Sequence, residues 1–317
     1  MQNFIKLYRY TMKKVLSLSM GSSKRDHVAE VSLFGDRFQV QRIGTDGDKK
    51  KLKELYELYD GQVDAFGMGG FDLWVHYAHK VYRFRDASQV IRHVKYTPVA
   101  DGSKVKSTLE AMSVHFLVEQ GIIHPETQTV MIPSATSRYF LYKAFQKEGF
   151  KVRWGDIAFG LGIGQDAMDS EALMNLVAYI AWPLLVKVPF HWLYPVKDQD
   201  TIEPKYQKAY DSADIIAGDF HFIYKHLPLS MKGKTIITNT LTEEEIGVLK
   251  DRGVRYVISV TPEFQGRSFG TNVLEACICA YFGRSPDQIS IEECKELFQQ
   301  YPIQPRVIKL SDEGDMQ

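Results

Sequence analysis

The second half of the chain repeats one unit, a short apolar segment, a polar turn and a helix-like segment. No other feature constrains the fold as much. "TVMIPS" leads into "ATSRYFLYKAFQKEG", "ADIIAGD" into "FHFIYKHLP", "KTIITNT" into "LTEEEIGVLKDRG", and "YVISVTPEFQGRSFG" into "TNVLEACICAYFG". Strands alternating with helices predict a parallel sheet covered on both faces. The first half differs. "HVAEVSLFG" and "RFQVQRIG" alternate apolar and polar residues about a turn, as half-buried hairpin strands do. "DKKKLKELYELYDG" predicts an amphipathic helix with Leu52, Leu55, Tyr56 and Leu58 on one side. A second hairpin is expected within "FDLWVHYAHKVYRFRDA", and "KSTLEAMSVHFLVEQG" predicts a helix capped near Ser107 or Thr108. A chain of 317 residues suits one large or two ordinary domains, and the change of texture at 124 favours two. The expected architecture is therefore α/β: a small mixed-sheet domain over 12–124, a Rossmann-like parallel-sheet domain over 125–306, and a loose tail over 307–317.

Charge narrows the partners. Lysine plus arginine equals aspartate plus glutamate at 39 each, so no net field draws the chain onto nucleic acid or an anionic membrane. The three cysteines, Cys277, Cys279 and Cys294, lack metal-site spacing and read as the reduced thiols of a cytoplasmic protein. The nine histidines show no HxH or HExxH pattern, and no metal site is expected. The N-terminus lacks a secretory h-region, and translation could begin at Met1 or Met12. The stretch Ala172–Phe190 is apolar but carries Asn175, Pro183, Lys187 and Pro189, so it reads as a covered helix rather than a membrane span. A homodimer through 172–192, anchored by Trp182, Phe190 and Trp192, is one expected cover; burial within the chain and an apolar part of a ligand are the others.

In an open parallel sheet, ligands bind beyond the carboxyl ends of the strands. Four turns share that edge: "PSATSR", "GDFH", "TNTLT" and "GRSFGTN". Asp156 lies 22 residues after Ser134, close to the spacing at which an acidic residue takes a cofactor's ribose hydroxyls. The glycine fingerprint is missing, so Ser134, Thr136, Ser137 and Arg138, with Asn239 and Thr240, would hold the phosphates of NAD or NADP. The alternative is an ordinary helix cap without a ligand. Asp219 and His221 are candidate catalytic groups; Arg267, Thr271 and Asn272 are candidate substrate ligands. In the first half, Ser22, Ser23, Lys24 and Asp26 suit a carboxylate or phosphate, and Asp101 with Lys104 or Lys106 suits proton transfer. Both clusters could equally be solvated loops. "IGTDGD", 43–48, reads as a turn and helix cap beside the same cleft.

The stretches "GSSKRDH", "RIGTDGD", "DAFGMGG", "ADIIAGDFHFI", "TIITNT" and "GRSFGTNVLEA" resemble those of bacterial proteins labelled quinate 5-dehydrogenase or shikimate/quinate dehydrogenase-like, over Lys13 to about Arg306. The resemblance implies an NAD(P)-linked dehydrogenase of a hydroxylated, carboxylated small molecule. It implies carboxylate-binding serines, echoed by Ser22 and Ser23, and a lysine–aspartate pair, echoed by Lys104 or Lys106 with Asp101. The order and spacing depart from that family's motifs. A transferase or lyase on a phosphorylated substrate, and a non-catalytic small-molecule-binding protein, are the alternatives.

Overall fold

The computed structural model describes residues 12–189, 202–239, 241–261, 263–264, 267–268 and 270–311. In chain order the first half holds β1 (Lys13–Ser19), β2 (His27–Leu33), β3 (Asp36–Gly44), α1 (Lys49–Tyr59), β4 (Ala65–Gly69), β5 (Trp74–Tyr77), β6 (Lys80–Arg83), α2 (Arg85–Val90), β7 (Val99–Ala100) and α3 (Ser103–Glu119). Five strands form a mixed sheet in the order β2-β3-β1-β4-β7, in which only β2 runs antiparallel to its neighbour. β5 and β6 make the expected second hairpin.

The second half holds β8 (Thr129–Ile132), α4 (Tyr139–Lys147), β9 (Lys151–Trp154), α5 (Glu171–Leu185), α6 (Gln207–Asp211), β10 (Ile215–Ala217), α7 (Phe220–Lys225), β11 (Thr235–Thr238), α8 (Glu243–Asp251) and β12 (Tyr256–Ser259). A two-stranded ribbon, β13 (Glu263–Phe264) and β14 (Arg267–Ser268), precedes α9 (Thr271–Phe282), α10 (Ile291–Gln300) and β15 (Arg306–Lys309). The second sheet runs β15-β12-β11-β10-β8-β9, parallel except for β15. Every residue of β10 and β11 is buried, as covering both faces of a parallel sheet requires.

The fold is thus α/β with two sheets and two lobes, as expected, and four details go beyond that expectation or depart from it. First, counted within the lobe, the second sheet runs 2-1-3-4-5 with an added edge strand. That is the flavodoxin-like order, not the dinucleotide-binding 3-2-1-4-5-6. Second, the lobes do not divide at 124. Val273, Leu274, Cys277 and Ile278 of α9, with Leu297 and Phe298 of α10, share a core with Val15, Phe38 and Val40 of the first sheet. The chain therefore returns to the first lobe over 271–300 before β15 rejoins the second. Third, 307–309 belong to β15, whose Val307 pairs with Ile258, and so are no loose tail; 312–317 lie outside the described residues. Fourth, α3 begins after Gly102, and the Ser107 and Thr108 hydroxyls donate back to the Lys104 carbonyl at 2.8 and 3.0 Å instead of capping.

α1 buries Leu52 and Tyr56, whereas Leu58 is exposed. α5 straps the lobes together. Met174 joins the core of the second sheet, while Ala178 and Trp182 join that of the first, where Trp182 meets Phe84 edge-on at 6.4 Å. Trp182 is therefore an internal core residue and not an interface anchor; Phe190 and Trp192 lie outside the described residues. No helix among the described residues is long and apolar enough to cross a membrane.

Candidate functional site

In each sheet the strand order reverses about one central strand, between β1 and β4 in the first lobe and between β8 and β10 in the second. Crevices form at such reversals, beyond the carboxyl ends of the strands. The two edges meet in a pocket lined by Asp72, Trp74 and His76 from the first lobe, Lys106 and Ser107 from α3, and Ser137 and Phe140 from the second. Lys106 Nζ lies 3.2 Å from Asp72 Oδ1, and Ser103 Oγ lies 3.5 Å from His76 Nε2. Burial, only partly opposed by Asp101, lowers the His76 pKa and favours the neutral ring. The free volume is ≈ 30 Å³, room for about one water molecule.

The floor of this pocket is an ion cluster centred on Arg138, which is 3 % exposed. Its Nη1 donates to Glu110 Oε1 at 2.6 Å, its Nε to Asp219 Oδ2 at 2.7 Å, and its Nη2 to Asp219 Oδ1. With the Asn239 amide oxygen turned toward the guanidinium, it accepts from Nη2 at 2.7 Å. The guanidinium therefore ties α3 to the turns after β8, β10 and β11. Burial raises Glu110, against the pull of Arg138 and Lys106. Burial, and then the Arg138 charge, holds His221 down at about 4, so its ring is neutral at pH 7.

Asp156 fills the place expected for a cofactor. It begins a helical turn after β9, and its carboxylate accepts from Ala135 N at 2.8 Å and Thr136 N at 3.0 Å, and from the Thr136 hydroxyl. A phosphate held by the turn after β8 would need those same donors. Ser134 and Ser137 are bonded to each other, Oγ to Oγ at 2.8 Å. Arg153 donates to the Ala167 carbonyl. The expected phosphate cradle is thus occupied by the protein's own carboxylate, and Asp156 is not presented to a ribose. Burial raises it to about 6.

The other expected ligands have structural roles. Asp101 accepts from the backbone of Leu73, Trp74 and Ser103 at 2.8–3.0 Å, pinning the β5–β6 hairpin to the start of α3. Lys104 Nζ donates to the Pro286 and Ile289 carbonyls, so only Lys106 of the three proposed proton-transfer groups reaches the pocket. Ser22 caps a 3₁₀ turn that includes Lys24, and Asp26 accepts from Arg42 Nη1 and Gly44 N. In "IGTDGD", Asp46 accepts from Ser23 N, Asp48 caps α1, and Gly47 turns at φ +85°. Thr271 is buried, and Asn272 Nδ2 donates to Ser17 Oγ at 3.1 Å. Arg267 sits on β14, and Thr240 lies outside the described residues.

Glu275 was not anticipated. Its carboxylate accepts from Lys104 N and Val105 N at 3.0 Å each, capping α3 from a different helix. One acidic residue inside the apolar run "TNVLEACICAYF" was the available signal. Burial, then Asp101, raises Glu275 to about 7 from 4.5. Between these values the folded chain holds a proton that the unfolded chain has released. This contribution to stability is full below pH 4.5 and is lost as pH rises to about 7. Asp156 acts in the same sense between 3.8 and about 6; His221 opposes it between about 4 and 6.5. Urea unfolding from pH 4.5 to 7.5 should lose about 1–3 kcal/mol of its decline with pH in Glu275→Gln. An unaltered slope would refute this assignment.

A family model described as domain of unknown function DUF8753 matches residues 14–101, and one described as domain of unknown function DUF8754 matches 104–310. No curated protein matches the chain. Among solved structures it is similar to a galactofuranose binding protein, at 7 % identity over 94 % of this chain and 95 % of that one, with a TM-score of 0.36. It is also similar to a periplasmic solute binding protein of an ABC transporter from Actinobacillus succinogenes with bound D-allose (12 % identity, 94 % and 98 % covered, TM-score 0.35). An NAD-dependent malic enzyme from Thermotoga maritima is more partially matched (12 % identity, 82 % and 69 % covered, TM-score 0.33). Likeness at these scores carries no ligand or activity over to this chain. The expectation of an NAD(P)-linked oxidoreductase is nonetheless overturned. Asp156 fills the phosphate cradle that a dinucleotide would need. Matched over well more than half its length, the chain belongs to the family described as domain of unknown function DUF8754.

Proposed function

We propose that the protein is a non-catalytic binding protein for a small hydroxylated molecule, taken up between its two lobes. One observation carries this reading: both sheets turn their strand-order reversals toward the same pocket, whose lining mixes aromatic rings with hydroxyls and one ion pair. The faces of Trp74 and Phe140 suit the C–H faces of a sugar-like ring. Ser107, Ser137, Lys106 and Asp72 supply donors and acceptors for its hydroxyls. Drug-sized ligands occupy pockets of roughly 300–1,000 Å³, so at ≈ 30 Å³ this pocket must widen to take one up. A cytoplasmic location fits the three buried thiols.

The test is a thermal-shift and calorimetric screen of the full chain with pentoses, hexoses, polyols and their phosphates, with D-allose and D-arabinose included. A ligand at 100 times its dissociation constant should add about 2.7 kcal/mol of stability. Lys106→Ala should then weaken binding about ten- to hundredfold, the loss of one charge-assisted bond. If no sugar or polyol binds, or if Lys106→Ala leaves affinity unchanged, the reading fails.

A further inference from the structure

α5 has two apolar sides. One buries Met174, Ala178 and Trp182 in the chain's own cores. The other carries Leu176, Ile180 and Leu184, which are 56 %, 59 % and 61 % exposed. These residues lie four apart, so they form one row with a step of about 6 Å along the helix. No charged residue interrupts the helix between Glu171 and Lys187. A surface helix ordinarily turns a polar face to water, and one that is apolar all round is covered on every side.

From this face we infer that a second copy of the chain covers it, across a two-fold axis passing beside Ile180. Leu176 and Leu184 stand equally far on either side of Ile180 in sequence. An antiparallel pairing therefore sets Leu176 against Leu184 of the second copy and each Ile180 against the other, the self-matching that a two-fold interface needs. The ends also match. Asp169 and Glu171 edge the N-terminal end; they face Lys151 and Lys143, yet their side chains remain 60 % and 35 % exposed. Lys187 and Arg85 edge the other end, where Arg85 N donates to the Val186 carbonyl at 3.0 Å. Antiparallel pairing brings Lys187 and Arg85 of one copy toward the exposed Asp169 and Glu171 of the other, each of which also faces a lysine of its own chain. A helix lying in a membrane surface would carry cations along its polar side, and 172–186 has none.

Sedimentation of the full chain over a range of concentrations should show a dimer. Ile180→Asp sets two carboxylates against each other at the axis and should give monomers that melt within a few degrees of the parent. Ile180→Cys provides a readout that does not depend on that variant's folding. A cysteine on the axis faces its own copy, and mild oxidation should cross-link the chain on a non-reducing gel. Ala172→Cys, exposed but far from the axis, should not cross-link, and the three native cysteines are buried. A monomeric parent overturns the inference; if that monomer floats with phosphatidylglycerol vesicles, the face belongs to a membrane instead. A dimer that survives Ile180→Asp, or Ile180→Cys that fails to cross-link, overturns it as well.

Discussion

Arg138→Ala is expected to destabilise the fold by about 3–5 kcal/mol, because it removes the one cation from a buried cluster and leaves its acids behind. Glu110 is buried beneath the pocket, and Arg138 Nη1 at 2.6 Å is its closest charged partner. Asp219 loses both of its guanidinium bonds, and the Asn239 amide loses its donor. The remaining Glu110 must stay charged with only the weaker pull of Lys106 to offset its burial, or take up a proton, and either costs stability. Guanidinium denaturation at pH 7 measures the loss. Glu110→Gln placed in the Arg138→Ala chain should recover part of it, since a neutral amide no longer needs the cation. A loss of less than about 1 kcal/mol would mean that the cluster is not a tie between the lobes.

Gly102→Ala is the second large effect, expected at about 2–5 kcal/mol. Gly102 sits at φ +86°, left-handed backbone that costs an L side chain roughly 1–2 kcal/mol. An added Cβ would also lie 2.3 Å from Asn272 N and 2.5 Å from Thr271 Oγ1. The first of these is backbone of α9 and cannot swing aside, so overpacking adds about 1–3 kcal/mol. The same helix passes close over Gly67, whose Cβ would meet Asn272 Nδ2 at 3.1 Å. Chemical unfolding of Gly102→Ala beside Gly47→Ala separates the two causes. Gly47 is also left-handed, at φ +85°, but nothing lies within 4 Å of its added Cβ. Equal losses in the two variants would show that α9 does not press on this turn.

The class of fold was legible in the amino-acid order, because the periodicity that distinguishes strand from helix is local. "ADIIAGD" and "KTIITNT" are apolar runs between polar turns, and they became the fully buried β10 and β11. The β2–β3 and β5–β6 hairpins were legible for the same reason. The turns after β8 and β10 were rightly read as lying at one sheet edge. Their chemistry was not legible there. Serine, arginine and aspartate at a turn look alike whether they await a ligand or bond to one another, and only tertiary packing decides which.

Packing brought Asp156 onto Ala135 and Thr136, Arg138 between Glu110 and Asp219, and Lys104 onto the Pro286 and Ile289 carbonyls. Each of these contacts joins residues at least 20 positions apart, beyond the reach of any local pattern. The return of α9 and α10 to the first lobe has the same character. Their apolar faces announce burial without naming the surface that buries them, and glycine at positions 67 and 102 left room for α9 on the first sheet. Trp182 shows the limit from the other side. Its size marked it as an anchor, and the structure set it in the core against Phe84 and left Leu176, Ile180 and Leu184 outside. The helix is apolar on every side, so no sequence period tells its inner row from its outer one; the position of the first lobe does.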